Sequence, residues 1–156
     1  MEQHYGICRV AVAPIRTEPS DKAEISTQLL FGDHVEVLEK EEKWWFVRNA
    51  YDDYQGWVDF RQLADISMEA YVANHNCDFL APAEVNNLLI DAEGTKYYLS
   101  PSSNLPLYND GFCYLGETKY QVVFNPHSVS AGAERCITDT ALFFQNVPYL
   151  WGGKHL

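Results

Sequence analysis

Positive charge is scarce in this chain: eleven Lys and Arg stand against twenty-two Asp and Glu, a formal net charge of −11. Such a surface repels nucleic acid and anionic membranes, so neither is expected as a partner. Long apolar runs are missing too. No run of about 18 apolar residues occurs, which argues against membrane insertion. The opening Met1-Glu2-Gln3-His4-Tyr5 lacks the basic and then apolar layout of a secretory signal. As written, the expected location is the cytoplasm; a chain trimmed of its leader would look identical and would belong to the periplasm or cell envelope. Cysteine is sparse and scattered. Cys8, Cys77, Cys113 and Cys136 form neither a C-x-x-C pair nor a dense framework of the secreted type, so buried, reduced thiols are expected. His75-x-Cys77 falls short of a zinc cluster and nothing of ligand spacing repeats elsewhere, so no metal and no cofactor is expected.

What the chain does have is material for packed cores: 156 residues, 47% hydrophobic and 14% aromatic, enough for one medium domain or two small ones. From Gly6 to about Leu63 short strand-like runs alternate with turn residues. Ile7, Val10 and Val12 form a β-branched run ending at Pro14, and Arg16 to Ala23 is a polar loop. Gln28-Leu29-Leu30 leads into the turn signal Gly32-Asp33. After it, Val35 and Val37 alternate with His34 and Glu36 as a half-buried strand requires. Glu39 to Lys43 reads as a charged turn, Lys43 to Val47 as a strand, Tyr51 to Tyr54 as a hairpin loop, and Gln55 to Val58 as a further strand. Five short strands at this spacing predict a small barrel.

These blocks carry a resemblance. Val12 to Pro19, then Gln28 to Asp33 with Val35 to Leu38, then Trp44 or Trp45 with Val47, and lastly Tyr54-Gln55-Gly56-Trp57-Val58, are similar to the successive blocks of the bacterial SH3-like domain, in that family's order and spacing. From Ala64 to about Ser128 the pattern is less regular. Ala83 to Ile90, following Pro82, reads as a short helix or an extended connection. Strand-like runs at Lys96–Leu99, Leu105–Tyr108, Phe112–Leu115 and Tyr120–Phe124 follow, with Asp110-Gly111 supplying a hairpin turn. This half resembles the second, divergent barrel of certain cell-wall peptidases, with Leu105 to Tyr108 standing where the first has Pro14-Ile15-Arg16. An amphipathic run from about Ala133 to Gln145, with Ile137, Ala141 and Phe144 on one face, predicts a helix that Asn146-Val147-Pro148 ends. The expected fold is therefore mainly β: SH3-like barrels at 1–64 and 65–128, then a C-terminal helix within 129–156.

The helix leads into Pro148-Tyr149-Leu150-Trp151-Gly152-Gly153-Lys154, which resembles the entrance to the NlpC-type cysteine peptidase domain. In that family a D-C-S-G segment follows, its cysteine activated at a helix N-terminus, with a later histidine as base. Neither part lies in this sequence, and the cysteines present are set in apolar or aromatic stretches, so the expected catalytic set is none and the chain alone is expected not to be an enzyme. None of His4, His34, His75, His127 and His155 shows a pairing that suggests catalysis.

The resemblance implies a non-catalytic, cell-wall peptide recognition region of a murein-peptide γ-D-glutamyl-L-diamino acid endopeptidase. Its partners would be peptidoglycan stem peptides or other murein fragments. In recycling-type members of the family the first barrel also walls the active site and meets the free amine of an N-terminal alanine. A cationic amine selects carboxylates beside an aromatic face. Candidates are the acids Glu42, Asp52, Asp53 and Asp59 and the aromatics Trp45, Tyr51, Tyr54 and Trp57; Tyr149 and Trp151 would line the cleft of an intact enzyme. Neighbours on a strand face opposite sides, so one of Trp44 and Trp45 must point inward. Glu39, Glu41 and Glu42 read as a solvated turn. The competing reading is a protein-interaction module that takes proline-rich or extended peptides in an SH3-like groove.

Overall fold

The computed structural model describes residues 3–129 and 141–154. Its first unit contains strands β1 (His4–Cys8), β2 (Val12–Arg16), β3 (Ile25–Leu30), β4 (His34–Lys40), β5 (Trp44–Asn49) and β6 (Gln55–Asp59), a 3-10 turn at Phe60–Gln62, and β7 (Leu63–Ile66). They form one antiparallel sheet in the order β3-β2-β6-β5-β4-β1-β7. The two-residue period of the strands supplies its core: Ile15, Leu29, Val35, Val37, Val47 and Val58 share one buried cluster. The ladder of β4 and β5 shifts between Val37 and Glu39, and beyond that point Leu38, Glu39 and Lys40 are exposed. Seven strands stand where five were expected. The run from Ile7 to Pro14 breaks at 9–11, so β1 and β2 are separate. Pro14 lies inside β2, opposite Gln28, where β2 meets β6 only at Arg16↔Trp57 and the missing donor is tolerated.

The second unit holds helix α1 (Met68–Asn74) and strands β8 (Phe79–Leu80), β9 (Asn87–Ile90), β10 (Lys96–Leu99), β11 (Phe112–Leu115), β12 (Thr118–Val122) and β13 (His127–Ser128). The four longer strands pair as β10-β9-β12-β11, and β13 pairs with β8. The Asp110-Gly111 turn forms as expected: both residues take positive φ, 46° and 83°, between Asn109 and Phe112, whose backbones exchange hydrogen bonds. Two expectations need correction. The helical option for Ala83 to Ile90 fails, because Asn87–Ile90 is a strand paired on both sides, with β10 and with β12. Leu105 to Tyr108 is a turn and no strand; Leu107 has φ 50°, while Leu105 is fully buried as an anchor. Helix α1, which no pattern announces, buries none of its residues and so carries no apolar stripe for periodicity to detect. Its start is marked by Ser67, whose hydroxyl accepts from the Ala70 N–H. The expected helix from Ala133 to Gln145 falls largely outside the described residues; 141–143 are helical, and Asn146, at φ 69°, follows.

The two units share a core. Ile7 and Phe31 from the first join Leu89, Leu99, Leu105, Cys113, Leu115, Tyr120 and Val122 of the second, and the Phe31 ring meets the edge of Tyr120 at 5.4 Å. Around Phe31 the turn is clasped to Asn104. The Asn104 N–H donates to the Phe31 carbonyl at 2.9 Å and its side-chain amide donates to Asp33 Oδ1 at 2.8 Å. Gly32 completes the clasp: its φ is +80°, and a Cβ there would lie 2.6 Å from the Asn104 carbonyl oxygen, so only glycine fits.

Candidate functional site

Between β5 and β6 the chain turns through a loop that Asp52 organises. One carboxylate oxygen of Asp52 accepts from the Asn49 side-chain amide at 2.8 Å and from the Tyr54 N–H at 3.2 Å. Asn49 is buried and its N–H donates to the Tyr54 carbonyl, which fixes the loop's base. Asp53 at the tip adopts φ 58°. This bracing leaves Tyr51 and Tyr54 turned to solvent, 88% and 52% exposed.

The segment from Pro148 to Lys154 lies against this unit. Gly152 presses on the backbone of β3, where a Cβ would come within 2.7 Å of the Ile25 carbonyl oxygen, and its φ of +69° also requires glycine. The Lys154 N–H donates to Gln28 Oε1 at 2.7 Å. Its ammonium reaches the second oxygen of Asp52 at 3.0 Å and stands 6.0 Å from the Tyr51 ring centre. Burial works against ionisation of Asp52, but the hydrogen bond and charge of Lys154 outweigh it and hold the carboxyl below the usual range. Tyr149 and Trp151 point outward, 83% and 63% exposed.

Tyr51 also stands on the rim of a cleft of about 450 Å³ between the two units, with Asp33 and His34 on one wall and His75, Cys77 and Asn104 on the other. Burial pushes Asp33 up to about 6, against the pull of the Leu30 N–H that its carboxylate accepts. His34 and His75 meet here, Nε2 to Nδ1 at 3.1 Å. The Tyr71 carbonyl lies 3.0 Å from the same His75 Nδ1 and requires a proton on it, so His34 Nε2 is the acceptor. Burial, and then the neighbouring His75, lower His34 to about 4.

The structure thus brings Tyr51, Asp52, Asp53 and Tyr54 together on one loop, and joins the segment carrying Tyr149 and Trp151 to it through Lys154. Trp45 is elsewhere. It shares the inward face of Val47, packs on the core and on Phe60 (ring centres 5.9 Å apart), and carries Lys40 over its ring. Trp44 is buried as well. Trp57 lies on the outer face of β6 beside Phe46, with ring centres 5.2 Å apart. Asp59 is occupied by Arg61, which binds both its oxygens. Glu39, Glu41 and Glu42 are exposed, as a solvated turn should be. Gln28, Asp33 and the His34–His75 pair escaped the sequence reading. Their partners lie dozens of residues away, and only the Gly32-Asp33 turn signal marked the place. The thiols of Cys8 and Cys113 are buried, which pushes Cys8 far up and Cys113 up to about 12, so both stay protonated; Cys136 lies outside the described residues.

Residues 15–63 match the family model described as the bacterial dipeptidyl-peptidase SH3 domain. Among solved structures the chain is similar to an NlpC/P60 family protein from Bacillus cereus, with a TM-score of 0.75 and 17% identity over 97% of this chain and 67% of that one. That likeness concerns the fold. NlpC2 from Trichomonas vaginalis also matches, at a TM-score of 0.37 and 16% identity over 80% of this chain and 49% of that one, too low to carry an argument. No curated protein matches the sequence. Over residues 15–63 the first unit thus matches a bacterial SH3-like domain, and the structural likeness shows the fold.

Proposed function

We propose that this chain is the substrate-recognition region of an NlpC-type murein peptidase, and that its β5–β6 loop forms part of the wall against which the stem peptide lies. The observation that carries this reading is the docking of the Pro148–Lys154 segment on the first unit, through Gly152 on β3 and Lys154 on Gln28 and Asp52. In the resembled family that segment introduces the catalytic domain, so chemistry carried out beyond it would take place beside Tyr51, Asp52 and Tyr54. Exposed tyrosines and a carboxylate suit an extended peptide that bears an ammonium group. The role of these residues is binding. The described cysteines sit in desolvated surroundings that favour the thiol, which is the wrong setting for a nucleophile.

Titration of the chain with L-Ala-γ-D-Glu-diamino acid tripeptides, followed by NMR, tests the reading. Saturable binding is expected, with shifts concentrated at residues 51–54 and affinity reduced about tenfold or more when Tyr51 and Tyr54 are both changed to Ala, in line with truncation of aromatic anchors. Absence of binding to any murein fragment, together with binding to a proline-rich peptide, would replace this reading by that of a protein-interaction module.

A further inference from the structure

We propose that Lys154 acts as a resident occupant of the ammonium-receiving site formed by Asp52 and Tyr51, so that a peptide ligand must displace its side chain to bind. The inference rests on the reading of the β5–β6 loop as a peptide-binding surface and adds a regulatory contact to it. The site has the composition that recognises a primary ammonium: a carboxylate oxygen 3.0 Å from Nζ and an aromatic ring on one side. A diamino acid in a stem peptide offers the same ammonium. The chain has placed its own lysine there.

The hold on the side chain is light. The two partners keep 31% and 24% of their side-chain surface exposed, so water still reaches the pair and screens it. The ring lies 6.0 Å from Nζ, at the outer edge of a useful cation–π contact. The segment itself is held separately, by Gly152 packed on the Ile25 carbonyl and Ser26 and by the Gln28 bond to the Lys154 backbone. The ammonium can therefore swing away while the segment remains docked. Because it is tethered, its effective concentration at Asp52 is on the order of millimolar, enough to compete with a weakly held free ligand.

The test compares the full chain with Lys154→Met, and with Lys96→Met as a control for the lost positive charge, Lys96 being exposed on β10. Two probes are titrated by NMR: N-acetyl-Gly-Gly-Lys amide, which imitates the resident segment, and the L-Ala-γ-D-Glu-L-Lys tripeptide. Lys154→Met is expected to bind the Gly-Gly-Lys probe about twofold to fivefold more tightly than the wild type and the control, the modest factor expected when a competing ion pair that water still screens is removed. The largest shifts are expected at Asp52 and Tyr51, and the gain should vanish when Asp52→Asn is added. Equal or weaker binding by Lys154→Met overturns the inference, as does tighter binding that the Lys96→Met control reproduces. If the Gly-Gly-Lys probe shows the gain and the murein tripeptide does not bind at all, the occupied site stands and the murein reading falls.

Discussion

The two β units differ in where their cores come from. The first fills its cluster with its own strands, from Cys8 to Leu63. The second completes its cluster with Ile7 and Phe31, which belong to the first. Its sheet has four strands of four or five residues, and short sheets bury too little apolar surface to be stable alone. One unit is thus self-sufficient and the other is built onto it. The clasp at Phe31-Gly32-Asp33 is where the dependence is concentrated, and the cleft and the β5–β6 loop lie beside that same clasp.

Phe31→Ala breaks this asymmetry most directly. Loss of a fully buried ring should destabilise the protein by about 3–5 kcal/mol. The loss should appear in the second unit first: in hydrogen exchange, amides of β9 and β12 should open before those of β5 and β6. Simultaneous opening of both units would show that the first also depends on the second.

Gly32→Ala attacks the clasp without touching the core. Left-handed backbone strain and the approach to Asn104 together should remove about 2–4 kcal/mol, read as a lower midpoint of urea unfolding. Gly94, which has φ +82° and nothing within 4 Å of a built Cβ, isolates the strain alone and should cost about 1–2 kcal/mol when changed to Ala.

Acidity sharpens the comparison further, because the junction holds two groups with opposite shifts. Asp33, raised from 3.8 to about 6, keeps its proton on folding; its contribution is complete below pH 3.8 and is lost as pH rises through 6. His34, lowered from 6.5 to about 4, stays neutral on folding; its contribution is complete above pH 6.5 and is lost as pH falls through 4. Between about pH 4 and 6 the two nearly cancel. Asp33→Asn should therefore unmask a loss of stability on acidification from pH 6.5 to 4, and His34→Gln should unmask a loss as pH rises from 4 to 6. Thermal melts of both variants relative to wild type across that range would check the signs, and parallel curves for all three would refute the opposed titration.

The smallest effect is expected in the loop. Tyr51, 88% exposed, should change stability by no more than about 0.5 kcal/mol when replaced by Ala, while peptide binding weakens. A large stability loss would mean that the ring packs in a way its exposure denies.

Legibility in the sequence followed the same division. The first unit was readable because its strands alternate with period two and its turns carry Gly32-Asp33 and the Tyr51–Tyr54 loop, all local signals. The second was read loosely. Ala83 to Ile90 reads as either a short helix or an extended connection because Leu88 and Leu89 fit either period, Leu105 to Tyr108 is apolar for anchoring and not for pairing, and α1 has no buried face. Of the candidate site, Tyr51, Asp52, Asp53 and Tyr54 were legible as a loop rich in acids and aromatics. Trp45 and Asp59 were drawn in by residue type alone, and the structure gives them to the core and to Arg61.

Composition, alternation and the ordered blocks of turn and aromatic residues determined by themselves a β-rich chain whose first unit is SH3-like. Tertiary structure alone decided that Phe31 belongs to the second core, that His34 meets His75, and that Lys154 closes on Asp52. Each of those pairs is separated by 41 residues or more in the chain, or joins cores of different units. Local pattern records what a residue does to its own strand, and only the folded backbone determines which distant group it will meet.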